Sequence, residues 1–375
     1  MYAQDTLGLG HVRRSATIAR ALLAQREDAA VLLASKSPWA ATLAESDRFD
    51  VIKLPAHLAR ATLSGDERTA ESSELHALRR AILREAVARF RPDVVLVDNE
   101  PLGFRGELGE ALAAAPPGCR FVFGMRDVVD DPGRTAEQWA RLGVLEALEE
   151  RFDRIIVYGH PEVVDTLAVY ALPDALRAKA RYAGYVCAPP ADIDRDALRA
   201  QLGLGDEPMV LVTGGGGEDA IGLLTATLEA AARLDGARLV LVTGPFMREE
   251  DRARVAELAA PGGHLVRERL DVIAALAACQ AAATMGGYNT LVEAIMLGRR
   301  PVVIPRATHK REQLMRAQAF AERDLAYCLA PDTLTTEALA GALERELTAA
   351  RPLDARAYLD EHGRRTASLL LEAAQ

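Results

Sequence analysis

The sequence is poor in lysine, cysteine and aromatic residues. Only Lys36, Lys53, Lys179 and Lys310 among its 45 basic residues are lysine, and the other 41 are arginine. With the alanine-rich helical stretches, that bias points to a high-GC bacterial genome and makes any single arginine weak evidence of function. The four cysteines, Cys119, Cys187, Cys279 and Cys328, are far apart and include no C-x-x-C pair. This excludes a disulfide framework or a zinc ribbon and reads as the reduced thiols of a cytoplasmic protein. No apolar run reaches the ~20 residues that a membrane-spanning helix needs. Polar Gln4 and Asp5 follow Met1 so closely that no signal peptide is expected. An excess of positive charge is also missing. The balance of 45 basic against 54 acidic residues leaves −9, which argues against a general nucleic-acid binder, since that needs a basic face to displace counterions.

What is present is an ordinary globular composition, 50% hydrophobic and 26% charged over 375 residues. At roughly 150 residues per domain, two domains are expected. Short apolar runs recur at 29–34, 51–54, 94–97, 120–123 and 155–158, then at 209–213, 239–243, 264–267, 281–285 and 301–305. Stretches with helical spacing, such as 13–25 and 73–89, lie between them. Continuously apolar strands alternating with helices predict an α/β fold with parallel sheets covered on both faces. The alternation breaks near Val186 to Ile193, where two prolines suggest a linker. The domains are therefore placed at 1–186 and 187–355, each the size of one doubly wound unit, and 356–374 reads as an amphipathic helix. Only Met1 to Gln4 precede the first glycine loop. Either the true start lies further upstream or the first strand is short.

Four segments follow strand ends. The first is Gly8-Leu9-Gly10-His11-Val12-Arg13-Arg14. Arg13 stands where a dinucleotide fingerprint needs its third glycine, so that reading is weak. An imidazole at such a loop can act as a general base, and the bland alternative is a two-glycine turn into a helix. The second is Thr213-Gly214-Gly215-Gly216-Gly217-Glu218-Asp219, with no G-K-[ST] to make a phosphate-binding P-loop of it. Four glycines exceed what a turn requires, and their N–H groups suit an anion; Glu218 and Asp219 are read as complementing a helix dipole. The third is Met285-Gly286-Gly287-Tyr288-Asn289-Thr290-Leu291-Val292-Glu293. Glu293 can accept hydrogen bonds from two ribose hydroxyls, or form a capping box with Thr290. The fourth, Pro305 to Gln313, is a charged run that could equally be a solvated helix start.

Together these residues resemble the GT-B glycosyltransferases, specifically the MurG-like branch that uses UDP-N-acetylglucosamine and its predicted-glycosyltransferase relatives. The likeness is strongest over Gly8 to Ala19 and Arg267 to Gln318. It implies two Rossmann-like doubly wound domains facing a central cleft, with the acceptor on the N-terminal domain and the nucleotide sugar on the C-terminal one. The last helix, 356–375, would pack back on the first domain. It also implies roles. Gly10 belongs to the first loop, Gly214 to Gly217 hold the diphosphate, and the backbone at Leu270 contacts uracil. Gly286, Gly287, Asn289 and Thr290 lie near the phosphates, Glu293 at the ribose, and Glu312 with Gln313 at the sugar. The usual sugar-facing pair is Gln-Gln, and Tyr288-Asn289 replaces smaller residues, which leaves the donor sugar open.

The mechanism implied is inverting transfer from a UDP-sugar to the hydroxyl of a cell-envelope or secondary-metabolite precursor. His11 is the candidate base and Asp98 fixes its tautomer, with Glu100 and Asp127 in reserve. No metal or other cofactor is expected. No nucleic-acid partner is expected either, while peripheral membrane contact, the acceptor and the oligomeric state stay open. A UDP-sugar 2-epimerase of the same fold, a non-catalytic nucleotide-sugar-binding protein and a nicotinamide enzyme are the alternatives. His57, His76, His160, His264 and His362 show no metal-binding spacing.

Overall fold

The computed structural model describes residues 1–4, 10–44, 46–56, 73–188, 192–306 and 311–375. Gly8, Leu9, His57, His309 and Lys310 lie outside the described residues, as does 189–191 of the expected linker. The chain divides into two compact units. The first comprises Met1–Pro161, Asp165–Ala188 and Asp360–Gln375, and the second Glu162–Val164 and Pro189–Leu359.

The strands of the first unit are β1 (Tyr2–Ala3), β2 (Val31–Ser35), β3 (Phe49–Lys53), β4 (Val94–Asp98), β5 (Arg120–Arg126), β6 (Arg154–Tyr158), β7 (Ala180–Tyr182) and β8 (Tyr185–Cys187). The first seven form one sheet in the order β3-β2-β1-β4-β5-β6-β7, and every pairing is parallel. The central strands are apolar through their middles, with charged residues only at their ends, because helices cover both faces. Leu33, Leu96, Val97, Val122, Ile155, Ile156 and Val157 are all buried. Helix Gly10–Gln25 lies against the C-terminal helix Arg364–Ala373. Gln25 Nε2 donates to the Arg364 carbonyl at 2.9 Å, and Arg154 Nη1 to that of Leu369 at 2.8 Å.

The second unit contains β9 (Met209–Thr213), β10 (Arg238–Val242), β11 (Leu265–Arg267), β12 (Ala281–Thr284), β13 (Val302–Val303) and β14 (Tyr327–Cys328), whereas β15 (Leu359–Glu361) returns the chain to the first unit at Asp360. The second unit's six-stranded sheet has the order β11-β10-β9-β12-β13-β14, again all parallel. Leu211, Val212, Val240, Leu241 and Ala283 form its buried centre.

Three expectations need correction. The expected linker begins within β8, which pairs with β15, so Val186 and Cys187 are strand and the unit boundary follows Ala188. The final helix is Arg364–Ala373 rather than the whole of 356–374; Asp360 interrupts it by accepting from the Arg365 and Thr366 N–H groups and the Thr366 hydroxyl. The helix after the four glycines starts only at Ile221. No disulfide joins the four cysteines, and among the described residues no helix is long and apolar enough to cross a membrane.

A buried ion pair ties helix Ser73–Phe90 to the segment that follows β4. Arg79 and Glu107 are both inaccessible, with Arg79 Nε donating to Glu107 at 2.7 Å and Tyr2 Oη donating to the other carboxylate oxygen at 2.5 Å. Removing one member of such a pair strands a buried charge. Arg79→Leu is expected to cost about 3–5 kcal/mol in urea unfolding of this unit; a cost below about 1 kcal/mol would show that the pair is not buried in solution.

Candidate functional site

In both sheets the first and fourth strands are neighbours, the topological switch point at whose carboxyl ends ligands bind in this class of sheet. In the first unit, Ala3 of β1 stands beside Asp98 at the end of β4. The helix that starts at Gly10 carries His11 in its first turn and Arg14 three residues on, hence on the same face. His11 Nδ1 lies 3.3 Å from Asp98 Oδ2, with 15% of the histidine side chain exposed. Arg14 Nη2 lies 2.9 Å from that same nitrogen and 2.9 and 2.8 Å from the two oxygens of Asp98. Burial alone would raise the Asp98 carboxyl, but Arg14 and His11 beside it outweigh burial and hold it below the usual carboxylate range.

The Arg14 guanidinium sits 4.6 Å from the centre of the buried Tyr158 ring. Gly124 on β5 makes this arrangement possible, since a methyl group there would collide with the Tyr158 hydroxyl. The two reserve carboxylates sit near by in sequence terms but differ in role. Burial pushes Glu100 up, offset in part by Gln4, Lys36 and His11. Asp127 Oδ1 accepts from the Val128 N–H at 2.7 Å, so it shapes the end of β5.

In the second unit Thr213 of β9 stands beside Thr284 of β12, so the two glycine segments leave the sheet side by side. Their glycines have different reasons. A methyl on Gly214 would meet Ala220, and one on Gly217, at φ +92°, would run into the Thr243 carbonyl. Gly286, at φ +87°, lies against Val303 and the backbone of Gln313. These three are required by packing. Gly215 needs its glycine for φ +69° but faces open space. Gly287 has an ordinary φ of −60°, also faces open space, and caps helix Tyr288–Met296 without any side-chain hydrogen bond. The first N–H groups of that helix lack intrahelical partners.

Glu293 is 8% exposed on the same helix. Because Gly287 is the cap, Thr290 is the third helical residue and the capping-box alternative fails. Asn289 and Thr290 are half-buried beside it. Leu270 packs its side chain onto the core between β11 and the following helix. Gln313 Oε1 accepts from the Arg306 N–H at 3.0 Å, and half-buried Glu312 opens helix Glu312–Glu322. Glu218 and Asp219 precede the helix at Ile221 and so do not sit in its first turn; Asp219 instead pairs with Arg306 at 2.6 Å. Sequence reading missed this pair, and it missed Arg14, whose only signal was its spacing of three from His11. Among the described residues no three His, Cys, Asp or Glu side chains gather as for a metal ion.

No family model matches the chain. Among curated proteins, it is 34% identical over 183 residues to a lipid-A-disaccharide synthase of Pseudomonas putida, a match covering 44% of this chain and 47% of that one. The match thus spans about half the length of that relative. Solved structures align over the whole chain. The glycotransferase of kitacinnamycin superposes with a TM-score of 0.65 at 19% identity, covering 100% of this chain and 98% of that one. The fold is GT-B. MurG of Acinetobacter baumannii gives 0.59 at 15% identity and 99% of both chains. A UGT transferase from Siraitia grosvenorii in complex with UDP gives 0.60 at 14%, over 99% and 94%. The GT-B likeness inferred from the motifs therefore holds at the level of three-dimensional structure.

Two outcomes test this geometry. Gly217→Ala is expected to destabilise the second unit by more than about 2 kcal/mol, whereas Gly287→Ala stays within about 0.5 kcal/mol in the same denaturant titration. Equal effects would mean the loop is not built as described. Asp98→Asn leaves Arg14 buried without its carboxylate, at a cost of about 3–5 kcal/mol at pH 7. Because the folded carboxyl titrates below the unfolded one, wild type keeps this contribution above the unfolded value and loses it as pH falls through the folded one. The gap between wild type and variant should therefore narrow below about pH 4; a gap that stays constant into acid would place the stabilisation elsewhere.

Proposed function

We propose that the protein is a glycosyltransferase that moves a sugar from a UDP-sugar to an acceptor hydroxyl with inversion at the anomeric carbon. The observation that carries this reading is the partly exposed His11 imidazole set against buried Asp98 at a switch point of a GT-B fold. His11 Nε2 takes the proton of the acceptor hydroxyl. The acceptor oxygen then attacks the anomeric carbon as the bond to the UDP oxygen breaks. Asp98 orients the imidazole and stabilises its protonated form. The first unit holds the acceptor.

The second unit holds the donor. The leaving diphosphate lies against the N–H groups of the Gly214 to Gly217 loop and of helix Tyr288–Met296, which carry partial positive charge without needing a side chain. Open space in front of Gly215 and Gly287 supports this placement. Glu293 takes the ribose hydroxyls and the Leu270 backbone the base, while Glu312 and Gln313 face the sugar. The complex of a structural neighbour with UDP and the match to a lipid-A-disaccharide synthase both favour a nucleotide-sugar donor.

Calorimetry and thermal shift with UDP, TDP and GDP sugars test the reading. UDP at about one hundred times its Kd should raise Tm by roughly 5–10 °C. Glu293→Gln should weaken UDP about 10- to 100-fold. His11→Ala should leave the UDP Kd within about twofold and abolish transfer. If no nucleotide shifts Tm, the donor assignment fails, and if a UDP-sugar is interconverted without acceptor, the enzyme is an epimerase.

A further inference from the structure

The contact between Arg14 and His11 is chemically restrictive. A guanidinium has donors only and never loses its proton in a protein. Arg14 Nη2 can therefore approach His11 Nδ1 to 2.9 Å favourably only if that nitrogen presents a lone pair. The competing arrangement, an Nδ1–H donated to Asp98 Oδ2, would span 3.3 Å, beyond the usual range for N–H···O. Nδ1 cannot do both. Arg14 has little freedom to move aside, being 4% exposed, bonded to both oxygens of Asp98 and stacked on Tyr158.

We propose that Arg14 is a positioning residue that holds His11 in its Nε2–H tautomer in the free protein, so that the base assigned above is off until an acceptor hydroxyl arrives. This rests on His11 being that base. With the proton on Nε2, the imidazole can donate to a hydroxyl but cannot take its proton. Activation needs one proton to leave Nε2 for solvent and one to be taken up at Nδ1, with the imidazole turning so that Nδ1–H faces Asp98 Oδ2 instead of the Arg14 Nη2 donor. The ring's charge is unchanged. A hydroxyl that donates to Nε2 favours the active tautomer and shifts the population toward it. Asp98 thus serves the resting state through Arg14 and the active state through His11.

The test needs no substrate. In protein labelled with ¹⁵N at histidine, two-bond ¹⁵N–¹H correlation spectra at a pH where His11 is neutral, assigned with His11→Gln, report which ring nitrogen carries the proton. Wild type should show Nε2–H over Nδ1–H by about tenfold or more. Arg14→Met should reverse the preference toward Nδ1–H. Where that variant fails to fold, Arg14→Lys substitutes, because it keeps a cation for Asp98 but lacks the Nη2 amino group that meets Nδ1; it should lower the ratio while leaving the UDP Kd unchanged. A wild-type spectrum dominated by Nδ1–H overturns the proposal, and so does an unaltered ratio in a folded Arg14 variant. Failure of the transferase reading looks different, with no UDP binding whatever the tautomer.

Discussion

Everything chemical in this chain depends on the first and fourth strands of each sheet lying side by side. In the order 3-2-1-4-5-6 the connections after those two strands depart to opposite faces, so their carboxyl ends open a crevice that the sheet itself cannot fill. The register sets what meets there. Ala3 beside Asp98 brings a helix start at Gly10 next to a carboxylate 88 residues later in the chain. Thr213 beside Thr284 brings together two glycine segments that share no local sequence relationship.

Within the first unit that geometry is maintained by a chain of dependencies. Gly124 leaves room for the Tyr158 ring, the ring supports the Arg14 guanidinium, and Arg14 neutralises Asp98. A carboxylate buried to this degree is costly without a partner. Here the partner is an arginine whose Nη2 amino group alone meets both carboxylate oxygens and the imidazole nitrogen. The same feature that makes burial tolerable therefore also constrains the histidine.

Much of the architecture was legible in the sequence because it rests on local pattern. Met209–Thr213 and Ser73–Phe90 appear as strand and helix at or within one residue of the limits that their apolar spacing gives. What was hidden rests on contacts between distant segments. β7, β8, β14 and β15 are two or three residues long, too short for any periodicity; β7 and β14 exist because a sheet edge lies ready to pair with them, and β8 and β15 because they pair with each other. Asp219 looked like a helix-dipole residue until the turn after Gly217 delayed the helix and presented it to Arg306. Arg14 was invisible among 41 arginines; only the strand register that delivers Asp98 distinguishes it.

The two switch points use one topology for opposite kinds of chemistry. The first is built from side chains, with a carboxylate, a guanidinium and an imidazole gathered where a proton could be moved. The second is built from backbone. Gly214, Gly217 and Gly286 are glycine because neighbouring atoms leave no room for anything else. Gly216 lies against the Phe246 ring, which leaves Gly215 and Gly287, whose missing side chains clear space rather than fill it. The charged pair near this loop, Asp219 with Arg306, is largely self-neutralising. An anion approaching there would meet N–H dipoles already fixed in place, with no counter-charge to reorganise, which is the condition under which backbone groups stabilise developing negative charge well. A neutral hydroxyl would gain little from such a surface but much from the first, where Nε2 can donate or accept according to its tautomer. Under the proposed transfer, donor and acceptor would divide between the two switch points according to which atoms each exposes.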